Sequence, residues 1–237
     1  MIRTAWTGVV ALFLTVLFGS EIVLTRLLRL PGLERRCWSR PRRWSRAIIR
    51  AAGVGVVLEG VDHLDEGRAQ ILVANHQSWF DVLVLAGYLP VEYRFIAKKE
   101  LTRIPFFGPA WQACGHVALD RQDRAAAIES LEEAGRRVGV EGSTMIIFPE
   151  GTRSHDGKLQ PFKRGAFALA IQSKLPIVPA AILGSRAVMP KGSFRIRSGT
   201  IRVRFGKPVS AEGLSYSDRA AFTSDVRGAV AGLMDAT

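Results

Sequence analysis

The sequence has little cysteine: Cys37 and Cys114 are the only two among 237 residues. They lie far apart and form no C-x-x-C pair. Neither a disulfide scaffold nor a zinc ribbon is therefore expected, and a reducing cytoplasmic setting fits. There is no G-x-S-x-G nucleophile elbow and no GxxxxGK[ST] phosphate loop. Gly53-Val54-Gly55 lacks the third glycine of a dinucleotide fingerprint, because Leu58 stands in its place, and it precedes its strand instead of following one. His63 and His116 have no metal-ligand spacing, so no metal is expected. Internal repeats and low-complexity linkers are also missing. A charged fraction of 23% and a mean hydropathy of +0.13 exclude a disordered chain. The length suits one substantial domain that buries a core without disulfides or metals.

Acidic residues are scarce as well, 21 against 33 basic ones, and the net charge is +12. Residues 1–53 hold ten Arg and two acids, Glu21 and Glu34, which gives +8; the remainder carries only +4. The excess is thus concentrated at one end. Thr4 to Ser20 is an uncharged apolar run, and IVLTRLLRL follows Glu21. Seventeen helical residues span about 25 Å, short of a roughly 30 Å hydrocarbon core; extension to Leu28 gives enough length but takes in Glu21 and Arg26. A cleaved signal peptide is the poorer reading, since one Arg precedes the run and no A-x-A site follows it. Nine arginines from Arg26 to Arg50, with Trp38 and Trp44 among them, suit an anionic lipid surface. Residues 1–53 are accordingly expected to form a membrane-associated basic helical hairpin, either one span or a half-embedded pair, on the cytoplasmic side. The alternative is a buried helix followed by a basic arm for nucleic acid.

From residue 54 to 237 short Val- and Ile-rich runs alternate with helical segments. Strands are expected at Val54–Leu58, Ile71–Ala74, Arg94–Ala97, His116–Leu119, Thr144–Phe148 and Ile177–Leu183. Helices are expected at Trp79–Leu89, Asp123–Val138 (capped by Asp123), Phe162–Ser173 and Ser217–Met234 (capped by Ser217). Phe194–Phe205 alternates at period two around Ser198-Gly199 and reads as a hairpin. The pattern implies an α/β domain with a mixed sheet flanked by helices.

Three segments could carry chemistry. In NHQSWFD, His76 and Asp81 are five apart, about 140° around a continuous helix. They can meet only if His76 lies off the helix and folds back onto its first turn. Asp81 would then orient one imidazole nitrogen and leave the other as a base. Ser78-x-x-Asp81 reads equally as a capping box, and the two roles can coexist because a carboxylate has two oxygens. In FPEGTR, Gly151 permits a tight turn before Thr152 and Arg153, whose fork suits phosphate; a strand-end turn with a surface Arg is the plainer alternative. His155-Asp156-Gly157 reads as a plain turn. In FIAKKELTRIPFFGPAWQACGHVALDR, Lys98, Lys99 and Arg121 stand near strand ends, a weak signal by itself.

Together these segments resemble the glycerolipid acyltransferase family over roughly residues 70–183. NHQSWFD matches its H-x4-D block, and FIAKKEL to PFFG with Gly115–Arg121 matches its second block. Phe148–Arg153 matches F-P-E-G-T-R residue for residue, and LPIVPAAI around Pro179 resembles the fourth. The resemblance implies the family's α/β acyltransferase fold, with an N-terminal helical pair on the membrane. It implies transfer of a fatty acyl group from acyl-CoA or acyl-carrier protein to the sn-2 hydroxyl of 1-acyl-sn-glycerol-3-phosphate, forming phosphatidate. His76 would be the base and Asp81 its orienting carboxylate. The substrate-phosphate site would comprise Lys98, Lys99, Arg121, Glu150, Gly151, Thr152 and Arg153, with Glu150 organising the loop. No metal or cofactor is implied beyond the thioester co-substrate. The implied partners are a lysophospholipid acceptor and anionic membrane lipid, without nucleic acid, at the cytoplasmic face of the inner membrane. Another lysolipid acceptor, such as lyso-ornithine lipid, and a non-catalytic lipid-binding protein are the alternatives.

Overall fold

The computed structural model describes residues 1–120 and 122–236. Seven strands form one sheet: β1 (Val54–Glu59), β2 (Gln70–Ala74), β3 (Tyr93–Lys98), β4 (Val117–Leu119), β5 (Thr144–Ile147), β6 (Ile177–Leu183) and β7 (Gly199–Phe205). Their order is β1-β7-β6-β2-β5-β3-β4, and every pairing is parallel except β6 with β7. The central strands β2 and β5 are buried along their whole length, which explains their continuous apolar sequence. β7 instead alternates: Ile201, Val203 and Phe205 face the core, while Arg202 and Arg204 pair with Glu59 of β1. The fold is thus the expected mixed α/β sheet.

Helices cover both faces of the sheet. Helices α2 (Leu33–Ala51) and α3 (Trp79–Tyr88) enclose a core around Ile49, Phe80, Leu85, Leu72 and Ile182. On the other face, α5 (Arg124–Glu141), α6 (Gly165–Ser173) and α8 (Arg219–Asp235) enclose Ile71, Val73, Val138, Phe167 and Val226. The short helices α4 (Phe107–Ala113) and α7 (Ser185–Val188) complete the domain.

The N-terminal helix α1 (Ile2–Leu27) packs against α2 and α4. At 26 residues it is about 39 Å long, and it is the one described helix long and apolar enough to cross a membrane. Trp6, Val9, Leu12, Phe13 and Leu17 are exposed on it. Glu21, the charge that interrupts its apolar run, receives hydrogen bonds from Arg40 (2.6 Å) and Arg36 (3.2 Å) of α2. Trp44 donates to Thr15 at 2.9 Å, a second bond between the helices.

Three expectations are corrected. Cys37 and Cys114 form a disulfide, with Cα atoms 5.2 Å apart, although 77 positions separate them in the chain. Both α2 and α4 pack on α1, which brings the two cysteines together; distance along the sequence was a poor guide to pairing, and the reducing setting inferred from an absent disulfide loses that support. Phe194–Phe205 is not a hairpin: only Gly199–Phe205 is a strand, and it inserts between β1 and β6. The preceding residues form a loop beside α1, where the Ile196 amide donates to Thr4 Oγ1 at 3.0 Å. The last helix, Arg219–Asp235, follows directly on a 3₁₀ turn that Ser215 and Asp218 cap, and Ser217 does not cap it. Asp123, by contrast, caps α5 as expected by accepting from the Ala126 amide.

Candidate active site

The site lies at the C-terminal ends of β2 and β5, adjacent parallel strands whose following turns face each other. After β2 the chain breaks for four residues before α3. Asn75 fixes the start of this turn, with its side chain donating to the Ile182 carbonyl (2.9 Å) and accepting from the Ile182 amide (2.7 Å). Ser78 caps α3 through Phe80 N and donates to the Met189 carbonyl at 2.7 Å. His76 is thereby held off the helix and turned back onto it.

His76 Nδ1 lies 2.8 Å from Asp81 Oδ2. Asp81 is fully buried, and the same oxygen accepts from the amides of Gln77 (2.6 Å) and Ser78 (2.8 Å). Capping and pairing therefore coexist, on one oxygen rather than divided between two. A carboxylate only accepts, so Nδ1 carries the proton and Nε2 keeps its lone pair. The imidazole stacks on Phe148, with ring centroids 4.2 Å apart. It reaches a cavity of about 910 Å³ between the sheet, α3 and α6.

The turn after β5 grips the same histidine. Glu150 Oε1 accepts from the His76 amide at 2.5 Å, and the Ser154 amide donates to the His76 carbonyl at 2.7 Å. Glu150 Oε2 accepts from the Gln160 amide at 3.0 Å. Burial raises the Glu150 pKa above the ordinary carboxylate range, partly offset by these two amide bonds and the nearby His76. Both of its oxygens serve the main chain, and its charge repels anions. Glu150 thus organises the loop, and it does not line this cavity.

Gly151, Thr152, Arg153 and Lys98 do line the cavity. The Arg153 guanidinium lies 5.1 Å from the Trp79 ring, and Thr152 Oγ1 accepts from Lys191 at 3.2 Å. Lys99 does not join them: its ammonium pairs with Asp120, and it is absent from the cavity wall. Arg121 lies outside the described residues. The His155 segment is a plain turn, with Asp156 accepting from Ser154 and the Lys158 amide.

The sequence reading passed over Lys163. Its side chain crosses Gly151 so closely that a Cβ there would lie 2.8 Å from Cε, at a residue whose φ is +71°. The positive φ favours glycine at this turn, and the absence of a side chain leaves the lysine room to cross it. The signal was the basic pair in FKRG, which sits just after the FPEGTR block.

Comparison with known proteins agrees with this geometry. The family model described as Acyltransferase matches residues 55–183, more than half of the chain. A 1-acyl-sn-glycerol-3-phosphate acyltransferase of Limnanthes douglasii is 36% identical over 165 residues, covering 70% of this chain and 58% of that protein. The human 1-acyl-sn-glycerol-3-phosphate acyltransferase alpha is 36% identical over 175 residues, covering 74% of this chain and 62% of the human protein. The chain thus spans about three fifths of the length of these curated relatives. Among solved structures, the 1-acyl-sn-glycerophosphate (LPA) acyltransferase PlsC from Thermotoga maritima superimposes with a TM-score of 0.82 at 28% identity, covering 100% of this chain and 96% of that one. With three of the four family blocks lining one cavity and these matches beside them, the chain belongs to the Acyltransferase family.

Proposed function

We propose that this protein transfers a fatty acyl group from a thioester, acyl-CoA or acyl-carrier protein, to the sn-2 hydroxyl of 1-acyl-sn-glycerol-3-phosphate. The observation that carries the reading is the His76–Asp81 pair, with Nε2 free at a cavity whose rim holds Arg153. His76 Nε2 takes the proton from the acceptor hydroxyl as its oxygen attacks the thioester carbonyl. Asp81 keeps Nδ1 protonated and stabilises the imidazolium that forms. The proton then passes to the departing thiolate, leaving a free thiol and phosphatidate. The thioester is already activated, so the reaction calls for no metal, cofactor or covalent serine.

Arg153 and Lys98 bind the acceptor phosphate, since a guanidinium fork matches phosphate oxygens. The apolar face of α1 and the arginines of α2 hold the enzyme on anionic lipid, where its acceptor resides. The positive-inside tendency sets that lipid at the cytoplasmic face of the inner membrane.

The test is an assay of purified full-length protein with oleoyl-CoA or acyl-carrier protein and a panel of lysolipids. Phosphatidate formation from 1-acyl-sn-glycerol-3-phosphate, faster than from any other acceptor, is expected. Preference for a lysolipid without a terminal phosphate would overturn the acceptor assignment, and no transfer to any acceptor would overturn the reaction.

A further inference from the structure

The cavity that holds His76 carries more positive charge than one acceptor phosphate uses. Besides Lys98 and Arg153, its wall includes Lys163, Arg164 and Arg219. Lys163 and Arg164 lead into α6, and Arg219 opens α8. The Lys163 amide donates to the Pro149 carbonyl at 2.8 Å, tying this segment to the turn that grips His76. The Arg219 guanidinium lies 4.1 Å from the Tyr216 ring and donates to the Tyr216 carbonyl at 2.7 Å. Tyr216 is 63% exposed. Among the described residues, none of the three cations has a carboxylate partner. The one acidic side chain in the wall, Glu132, accepts from Gln172.

Clustered like charges repel one another and persist where an anion joins them. Two anionic substrates must meet at His76, and they approach the reacting carbon from different directions. One is the acceptor, with its phosphate. The other is the acyl donor, whose pantetheine arm ends in phosphate whether coenzyme A or a carrier protein bears it. A single cation set cannot hold both phosphates while their reactive ends converge.

Resting on the acyl-transfer reading above, we propose that Lys163, Arg164 and Arg219, beside the exposed Tyr216 ring, form a second anion site that binds the phosphate end of the donor's phosphopantetheine arm. The cavity then has one anion site for each substrate, with His76 serving both.

The test uses the full chain carrying R164Q and R219Q together, which leaves Lys163 and the Gly151 turn in place. Steady-state rates are compared for an acyl-CoA, the matching acyl-carrier protein and the matching acyl-pantetheine, which has no phosphate. The expected result is a rise of about tenfold or more in donor KM for a phosphate-bearing thioester. The acceptor KM and the rate with acyl-pantetheine should stay at the wild-type value. A loss with acyl-CoA alone identifies the coenzyme as the source; a loss with the carrier protein, alone or together with acyl-CoA, identifies the carrier or both. Any of these supports the site. The conservative R164K/R219K variant should restore the rate, which separates charge from folding damage. An equal loss with acyl-pantetheine, a rise in acceptor KM instead, or unchanged kinetics would overturn the proposal. Absence of transfer by the wild-type protein with every donor would instead count against the acyl-transfer reading.

Discussion

Helices α1 and α3 are both apolar, yet they use that surface in opposite ways. Seven of the ten residues of α3 are buried, and its N-terminus holds Ser78 and Asp81 in place beneath His76. Only four of the 26 residues of α1 are buried, and Trp6, Val9, Leu12, Phe13 and Leu17 are exposed. Hydrophobic burial inside the domain fixes the turn that carries His76; the same kind of surface on α1 is left outside, where it suits membrane association. The difference teaches that attachment and chemistry are assigned to separate helices. A lesion in one should leave the other working.

The strongest challenge to that separation is His76→Ala. It should reduce kcat by on the order of 10²–10⁴ while binding to anionic vesicles and the melting curve stay unchanged. Loss of vesicle binding along with activity would break the comparison. The converse lesion places charge on the exposed face of α1. Leu12→Glu with Leu17→Glu should weaken partitioning into phosphatidylglycerol vesicles by roughly 10²-fold, on the scale of two lost apolar side chains. Turnover of a short-chain, water-soluble acceptor should be retained, and its loss would show that α1 also shapes the site.

Two further changes act where the regions join or where substrate enters. The disulfide ties α2 to the end of α4, so Cys114→Ser should lower stability by about 2–4 kcal/mol in urea titrations. Reduction of the wild-type protein should shift its curve to match. Arg153→Ala should raise the acceptor KM by about tenfold, with donor KM unchanged. A donor effect alone would move the acceptor phosphate elsewhere.

The smallest effect concerns acid stability within the body. His116 is half-buried against Tyr93, Phe95 and Trp111, and its Nδ1 accepts from the Phe95 amide at 3.2 Å. Burial, reinforced by Arg94 and Arg137, lowers its pKa to about 3. A base with a depressed folded pKa contributes its full stability above its unfolded value, about 6.5, and loses it as pH falls toward 3. His116→Gln should flatten the decline in melting temperature between pH 6.5 and 4.5. A slope as steep as in the wild type would assign the acid sensitivity to other groups.

Much of the site was legible because it is local. His76, Ser78 and Asp81 lie within one turn and the start of one helix, so spacing and capping chemistry allowed the pair, and the family resemblance chose it over plain capping. The strand–helix alternation was legible for the same reason. What sequence left open depends on contacts between distant segments. Lys163 meets Gly151 only after β5 and the approach to α6 fold over each other, and Lys99 turns to Asp120 across two neighbouring strands. The alternation in Phe194–Phe205 is real over β7, where Ile201, Val203 and Phe205 face inward, but periodicity does not name a strand's partner. The cysteine pair had no local signature at all.

The two main-chain bonds that hold His76 have a stereochemical consequence. Glu150 and Ser154 stand on either side of Arg153 in the chain, and both grasp the histidine backbone. The His76 turn and the segment that carries Arg153 therefore ride on one piece of structure. On the proposed function, that arrangement would act as a gauge along the glycerol backbone, favouring a hydroxyl at one number of bonds from the phosphate. Positional selectivity would then reside in hydrogen bonds that never touch the lipid.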